Sequence, residues 1–106
     1  MVDHELNELK REFLDEARDK VTEMQSVLEQ APSAESIDRL TYLAHQLKGS
    51  GGSYGYQRIS ADAAELEKAL ENVADDGGKF PALEAKIQQH VVNLQSEIDR
   101  CARELV

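Results

Sequence analysis

Apolar residues recur three and four positions apart through four long stretches of the chain, and clusters of turn-forming residues separate the stretches. An α-helix gathers that spacing onto one face, so the pattern confines the chain to amphipathic helices. The first stretch carries Leu6, Leu9, Phe13, Ala17, Val21, Met24 and Leu28. The second carries Ile37, Leu40, Ala44 and Leu47, and the third Ile59, Ala63, Leu66, Leu70 and Val73. The fourth carries Leu83, Ile87, Val91, Leu94, Ile98, Cys101 and Leu105. The breaks are Ala31-Pro32-Ser33, the run from Gly49 to Gly55, and Asp75-Asp76-Gly77-Gly78 ahead of Phe80-Pro81. No segment alternates with period two for long enough to make a strand. Four such helices with short connections predict an all-α fold, an antiparallel up-and-down four-helix bundle. A short extra N-terminal helix is added if the first stretch breaks near its start, which the sequence leaves open. The length of 106 residues fits a single domain over residues 1–106, with no linker, repeat or low-complexity segment.

Start and stop signals agree with this division. Ser33 can cap the second helix by accepting from its free backbone N–H groups, with Glu35 and Asp38 favourable in the first turns. Pro81 suits the first turn of the last helix, where its missing N–H has no partner to lose. Gly77 is a left-handed stop for the third helix.

Composition excludes several functions. The chain has 12 Lys and Arg against 21 Asp and Glu, a net charge of −9. A nucleic-acid binder needs a basic face, and so does a protein that docks on anionic lipid, so no nucleic acid and no membrane are expected as partners. No run approaches the ~18 apolar residues of a membrane span. Met1-Val2-Asp3-His4-Glu5 lacks the basic and apolar regions of a secretory signal. Cys101 is the single cysteine and has no partner for an internal disulfide, so a cytoplasmic setting is expected.

The candidate chemistry lies in Leu43-Ala44-His45-Gln46-Leu47-Lys48-Gly49-Ser50-Gly51-Gly52-Ser53-Tyr54-Gly55. At ~100° per residue, Ile37, Leu40, Ala44 and Leu47 cluster toward the core, while His45 falls roughly 140° from the centre of that stripe and faces solvent. Thr41, Lys48, Gly49 and Gly52 lie within about 60° of His45. The exposed face thus carries an imidazole, an ammonium one turn on, and almost no side chain beyond. Glycine costs ~1 kcal/mol relative to alanine inside a helix, so three glycines in four residues admit two readings. Either the helix ends at Gly49 and the glycines are a loop, or side chains are absent so that a bulky group can approach His45. On the third helix Glu67 lies about 80° from the apolar stripe. It reads either as a solvated acid or as a carboxylate that accepts from the imidazole Nδ1–H and leaves Nε2 free as a nucleophile.

His45-Gln46-Leu47-Lys48-Gly49, five further residues and Gly55 resemble the H-x-L-K-G-x5-G signature of histidine-containing phosphotransfer (HPt) domains. The likeness extends to Phe13-Leu14-Asp15-Glu16-Ala17 and to Ala64-Glu65-Leu66-Glu67, and covers most of the chain. It implies that His45 is the phospho-accepting histidine, that Lys48 accompanies the phosphoryl group, and that Gly49 opens access to the ring. It implies that Gly55 makes the turn into the next helix and that Glu67 is the orienting residue. Tyr56 stands where the family places an aromatic, commonly Phe. Docking is expected to use Thr41, Gly49, Gly52, Tyr56 and Ala64.

The resemblance further implies a carrier rather than an enzyme, exchanging its phosphoryl group with the aspartate of a response-regulator receiver domain and served by a sensor histidine kinase. The receiver would supply Mg²⁺, and the carrier itself needs no cofactor. The chain agrees in offering neither the glycine-rich nucleotide loop with its matching lysine nor an acidic metal cluster. Gly49-Ser50-Gly51-Gly52-Ser53 lacks the G-K-[ST] ending of a phosphate-cradling loop. Two other readings stand beside the carrier: the N-terminal phospho-accepting domain of a larger chemotaxis-type histidine kinase, and a non-catalytic adaptor bundle. Other residues read as structural: His4 as solvated, His90 as packing at the edge of the last stripe, Cys101 and Met24 as core, Arg58 as an exposed basic residue at a helix start. Asp62, Glu65 and Glu71 make no metal-ligand pattern with His45, so no metal is expected.

Overall fold

The computed structural model describes residues 2–75 and 80–105. They form four helices, α1 (Val2–Leu28), α2 (Ala34–Ser53), α3 (Gln57–Asp75) and α4 (Phe80–Glu104), with no strand among the described residues. Each helix packs on its two neighbours in a ring, most extensively at the α2–α3 seam and least at the α1–α2 seam. Partners across the α1–α4 and α2–α3 seams run in opposite senses. Arg11 meets the Leu105 carbonyl, Arg18 meets Asp99, and Gln25 meets Gln95 along α1 and α4. Across α2 and α3, Lys48 meets Ser60 and His45 meets Glu67. The bundle is therefore up-and-down and antiparallel, as the spacing predicts.

The predicted stripes supply the core. Phe13, Ala17, Val21 and Met24 of α1 are buried against Ile37, Leu40, Ala44 and Leu47, and the stripes of α3 and α4 complete it. Leu14 and Leu43, one position off the simple stripe, are also buried. Each fully buried side chain of this kind contributes about 1.5–3 kcal/mol of transfer free energy, which the ordering of the chain largely offsets.

The structure decides two readings that the sequence leaves open and overturns one expectation. Helix α1 is continuous from Val2 to Leu28, so there is no short separate N-terminal helix; the segment holds neither glycine nor proline to break it. Leu6 and Leu9 are 42% and 47% exposed rather than core. Arg11 of α1 already reaches the Leu105 carbonyl just past the end of α4, so the turns of α1 that carry Leu6 and Leu9 lie beyond that helix. Finally, α2 does not stop at Gly49 but continues through the glycines to Ser53.

The signals at the helix ends act as expected where they are described. The Ser33 side chain accepts from the Ser36 backbone N–H at 3.1 Å, and the Ser36 hydroxyl accepts from the Ser33 N–H at 2.8 Å, a reciprocal capping box. Pro81 lies in the first turn of α4. At the end of α2, Gly55 adopts φ +82°, the left-handed conformation that glycine takes without a Cβ penalty. Its N–H donates to the Gly52 carbonyl at 3.2 Å and the Tyr56 N–H to the Gly51 carbonyl at 2.8 Å, a Schellman closure. The proposed stop at Gly77 and the His4 side chain lie outside the described residues.

Candidate functional site

The close seam between α2 and α3 builds the site. Gly51 is buried on the core side of α2, and a Cβ there would stand 3.2 Å from the Ser60 nitrogen and 3.3 Å from Ile59 Cγ2. Even a methyl there would have to press α3 away by a few tenths of an ångström, so glycine lets the two backbones come this near. Ser60 fastens the approach by donating its hydroxyl to the Lys48 carbonyl at 2.8 Å. That carbonyl belongs to the last turns of α2, and the bond fixes the turn that carries Lys48.

His45 projects from the outer face of α2 with its side chain 64% exposed. Its Nδ1 lies 2.8 Å from Oε2 of Glu67, and Lys48 Nζ lies 2.8 Å from Oε1 of the same carboxylate. The Glu67 side chain is only 12% exposed, so the solvated-acid reading fails. Hydrogen bonds from Lys48 and then from His45 hold its carboxyl below the ordinary value of 4.5, against the opposing effect of burial. An ionised carboxylate accepts and cannot donate, so the hydrogen on the imidazole sits on Nδ1. The lone pair of Nε2 is then directed away from Glu67, on a ring that water reaches. One buried anion thus sets the tautomer of the histidine and holds an ammonium one helical turn away.

The space around the ring is open. A Cβ at Gly49 would meet nothing within 4 Å, and one at Gly52 would meet only Ser60 Oγ at 3.6 Å, an ordinary contact. The Thr41 hydroxyl donates back to the Ile37 carbonyl at 2.8 Å. Ala64 is half-buried on α3. Tyr56 is engaged elsewhere: its ring stacks on Phe13 at 5.7 Å between centroids, beside Tyr54 on the same phenyl at 5.0 Å. Among the described residues no three His, Cys, Asp or Glu side chains come together as a metal site would need. Among them, too, no helix is long and apolar enough to cross a membrane.

The family model of the Hpt domain matches residues 8–103. The chain belongs to the Hpt domain family. No curated protein and no solved structure gives a significant match. Hpt domains carry a phosphoryl group on a histidine in phosphorelays and act with receiver domains and histidine kinases. The match spans all the residues that build the site.

Sequence reasoning missed Gly51 and Ser60. A signal for Gly51 existed: it follows Leu47 by four residues, which places it on the core side of the helix and not on the open face with Gly49 and Gly52. Nothing in the sequence singles out Ser60, whose role depends on where α3 lies.

Proposed function

We propose that this Hpt domain accepts a phosphoryl group on His45 Nε2 from the aspartyl phosphate of a receiver domain and passes it to another receiver aspartate. In the accepting step the Nε2 lone pair forms the P–N bond as the P–O bond to the aspartate breaks, and the aspartate leaves as carboxylate. The ring keeps its Nδ1 hydrogen and so gains positive charge, which the Glu67 carboxylate opposite Nδ1 stabilises. Lys48 places an ammonium beside the oxygens of the incoming group. In-line displacement needs the donor aspartate on the far side of phosphorus from Nε2, hence open space beyond the ring, and the glycines of α2 leave it. The receiver would bring the Mg²⁺ and the acidic pocket. The carrier then contributes a fixed nucleophile and no chemistry of its own on a nucleotide.

The observation that carries this reading is a solvent-exposed imidazole whose inner nitrogen is bonded to a buried carboxylate at 2.8 Å. Incubation with phosphorylated receiver domains should give an acid-labile, base-stable label on the wild-type chain. His45→Gln should give none while retaining the helical circular-dichroism spectrum. Label on the variant, or none on the wild type from any receiver tested, overturns the assignment.

A further inference from the structure

Beside the His45 face the structure holds an aromatic side chain that the phosphoryl chemistry leaves unused. Tyr42 precedes His45 by three residues, so the two are neighbours on the outside of α2. The tyrosine is 51% exposed, one of the few large apolar residues among those described that face water. It is nevertheless held in place from two sides. Gln46 Nε2 donates to its hydroxyl oxygen at 2.7 Å. The Arg39 guanidinium lies over its ring, 5.4 Å from the centroid. Arg39 is in turn clamped to Glu23 of α1, through Nη2 to Oε1 at 2.8 Å and through a second contact from Nε.

Fixing an exposed ring in this way has a consequence for binding. A free side chain loses about 0.5–1.5 kcal/mol of rotamer freedom when a partner immobilises it, and a ring already held loses less. Tyrosine so presented is a frequent anchor of protein interfaces. Its hydroxyl accepts from Gln46, and the O–H hydrogen is given to none of the described residues, so it can donate outward.

The ring stands at the edge of a polar groove between α1 and α2, the loosest seam of the bundle. Glu16 and Asp19 line the α1 side and are exposed. Lys20 also lines it, while the Arg39 charge is taken by Glu23. The rim is thus acidic on a chain of net charge −9. A receiver domain brings further negative charge in its phosphoaspartate, so the approach of the two is electrostatically opposed unless the receiver carries basic groups where they meet this rim.

We propose that Tyr42 is the docking anchor of this carrier, and that it selects receiver domains presenting an apolar recess for the ring, a backbone carbonyl for its hydroxyl, and basic side chains against Glu16 and Asp19. The inference rests on the carrier reading of His45. Tyr42 is a positioning residue: it touches the partner protein and not the phosphoryl group. Its removal therefore weakens docking and spares the transfer step.

The test is the initial rate of phosphoryl transfer to the wild-type chain and to Tyr42→Ala, measured against concentration for a panel of purified phosphorylated receiver domains. For the receivers that serve the wild type, Tyr42→Ala should raise the half-saturating receiver concentration about tenfold, with the saturating rate within about twofold of wild type. Tyr42→Phe should recover most of the loss, since it restores the ring. Asp19→Lys should raise the half-saturating concentration further for receivers with basic docking faces, and higher salt should erase that difference. A half-saturating concentration unchanged in Tyr42→Ala overturns the inference, and so does a fall in saturating rate alone. Failure of the wild type with every receiver is a different result: it removes the carrier reading, and this inference with it.

Discussion

At the scale of single residues, Glu67 carries more than its size suggests. Its carboxylate accepts from two donors, the His45 ring and the Lys48 ammonium, and neither has another acceptor in the described contacts. Glu67→Ala would free the imidazole to adopt either tautomer and let Lys48 swing into solvent. We expect phosphoryl acceptance to fall about 10- to 100-fold, in line with losses on removing an orienting carboxylate, with a stability cost of only about 1–2 kcal/mol because both partners reach water. Glu67→Gln should recover part of the rate, since an amide oxygen can still accept from Nδ1–H. Parallel phosphotransfer assays and urea titrations separate the two effects. His90 is a contrasting case. Both of its ring nitrogens are buried and neither has a hydrogen-bond partner among the described residues. Burying such groups costs about 1–3 kcal/mol. His90→Leu should therefore raise stability by about 1 kcal/mol and leave transfer untouched, readable as a shift in urea midpoint at constant slope.

At the scale of the element, the end of α2 shows how glycines in one run can have opposite meanings. Gly49 faces open space, so Gly49→Ala meets no clash and gains the ordinary helix propensity of alanine, up to ~1 kcal/mol. The same methyl narrows the approach to His45, so the variant should melt higher and transfer more slowly. Gly51 faces α3 at 3.2 Å from the Ser60 nitrogen. Gly51→Leu would force the two backbones apart, which should cost about 1–3 kcal/mol and strain the Lys48–Ser60 and His45–Glu67 bonds together. Thermal melts of the two variants should move in opposite directions, and transfer should fall in both. The run of glycines had two readings because propensity alone counts each glycine as a helix breaker. Packing against α3 and the Schellman closure at Gly55 carry the helix through them.

At the scale of the whole molecule, the buried acids set the response to pH. Glu67 and Glu97 are both held below 4.5, Glu67 first by the hydrogen bond from Lys48 and Glu97 first by that from Arg100. Folding thus keeps them ionised where the unfolded chain takes up protons. Their stabilisation is complete above the unfolded value and is lost as pH falls through the lower folded values. Asp62 runs the other way. Burial raises its pKa above 3.8, so its charge opposes folding at neutral pH, and that opposition fades as pH falls through the raised value. Urea midpoints measured against pH should hold level at neutral pH and decline below about pH 4.5. The double variant E67Q/E97Q should flatten that decline. Asp62→Asn should gain stability at neutral pH and much less at pH ~3. A wild-type stability that stays level down to that pH would show that these pairs do not form in solution.

The amino-acid order alone settled what depends on near neighbours along the chain. The three- and four-residue spacing fixed the helices and nearly all of the core, Ser33 fixed a helix start, and the wheel placed His45, Lys48 and Gly49 on one outer face, because helical geometry relates residues only a turn or two apart. Tertiary structure decided what depends on which helix lies beside which. It left Leu6 and Leu9 bare where α1 outruns α4, made Gly51 a contact point, and turned Glu67 from one surface acid among many into the buried anion under the imidazole. Such distinctions arise only when distant segments meet, since burial and partner, not residue type, determine what a carboxylate or a glycine does.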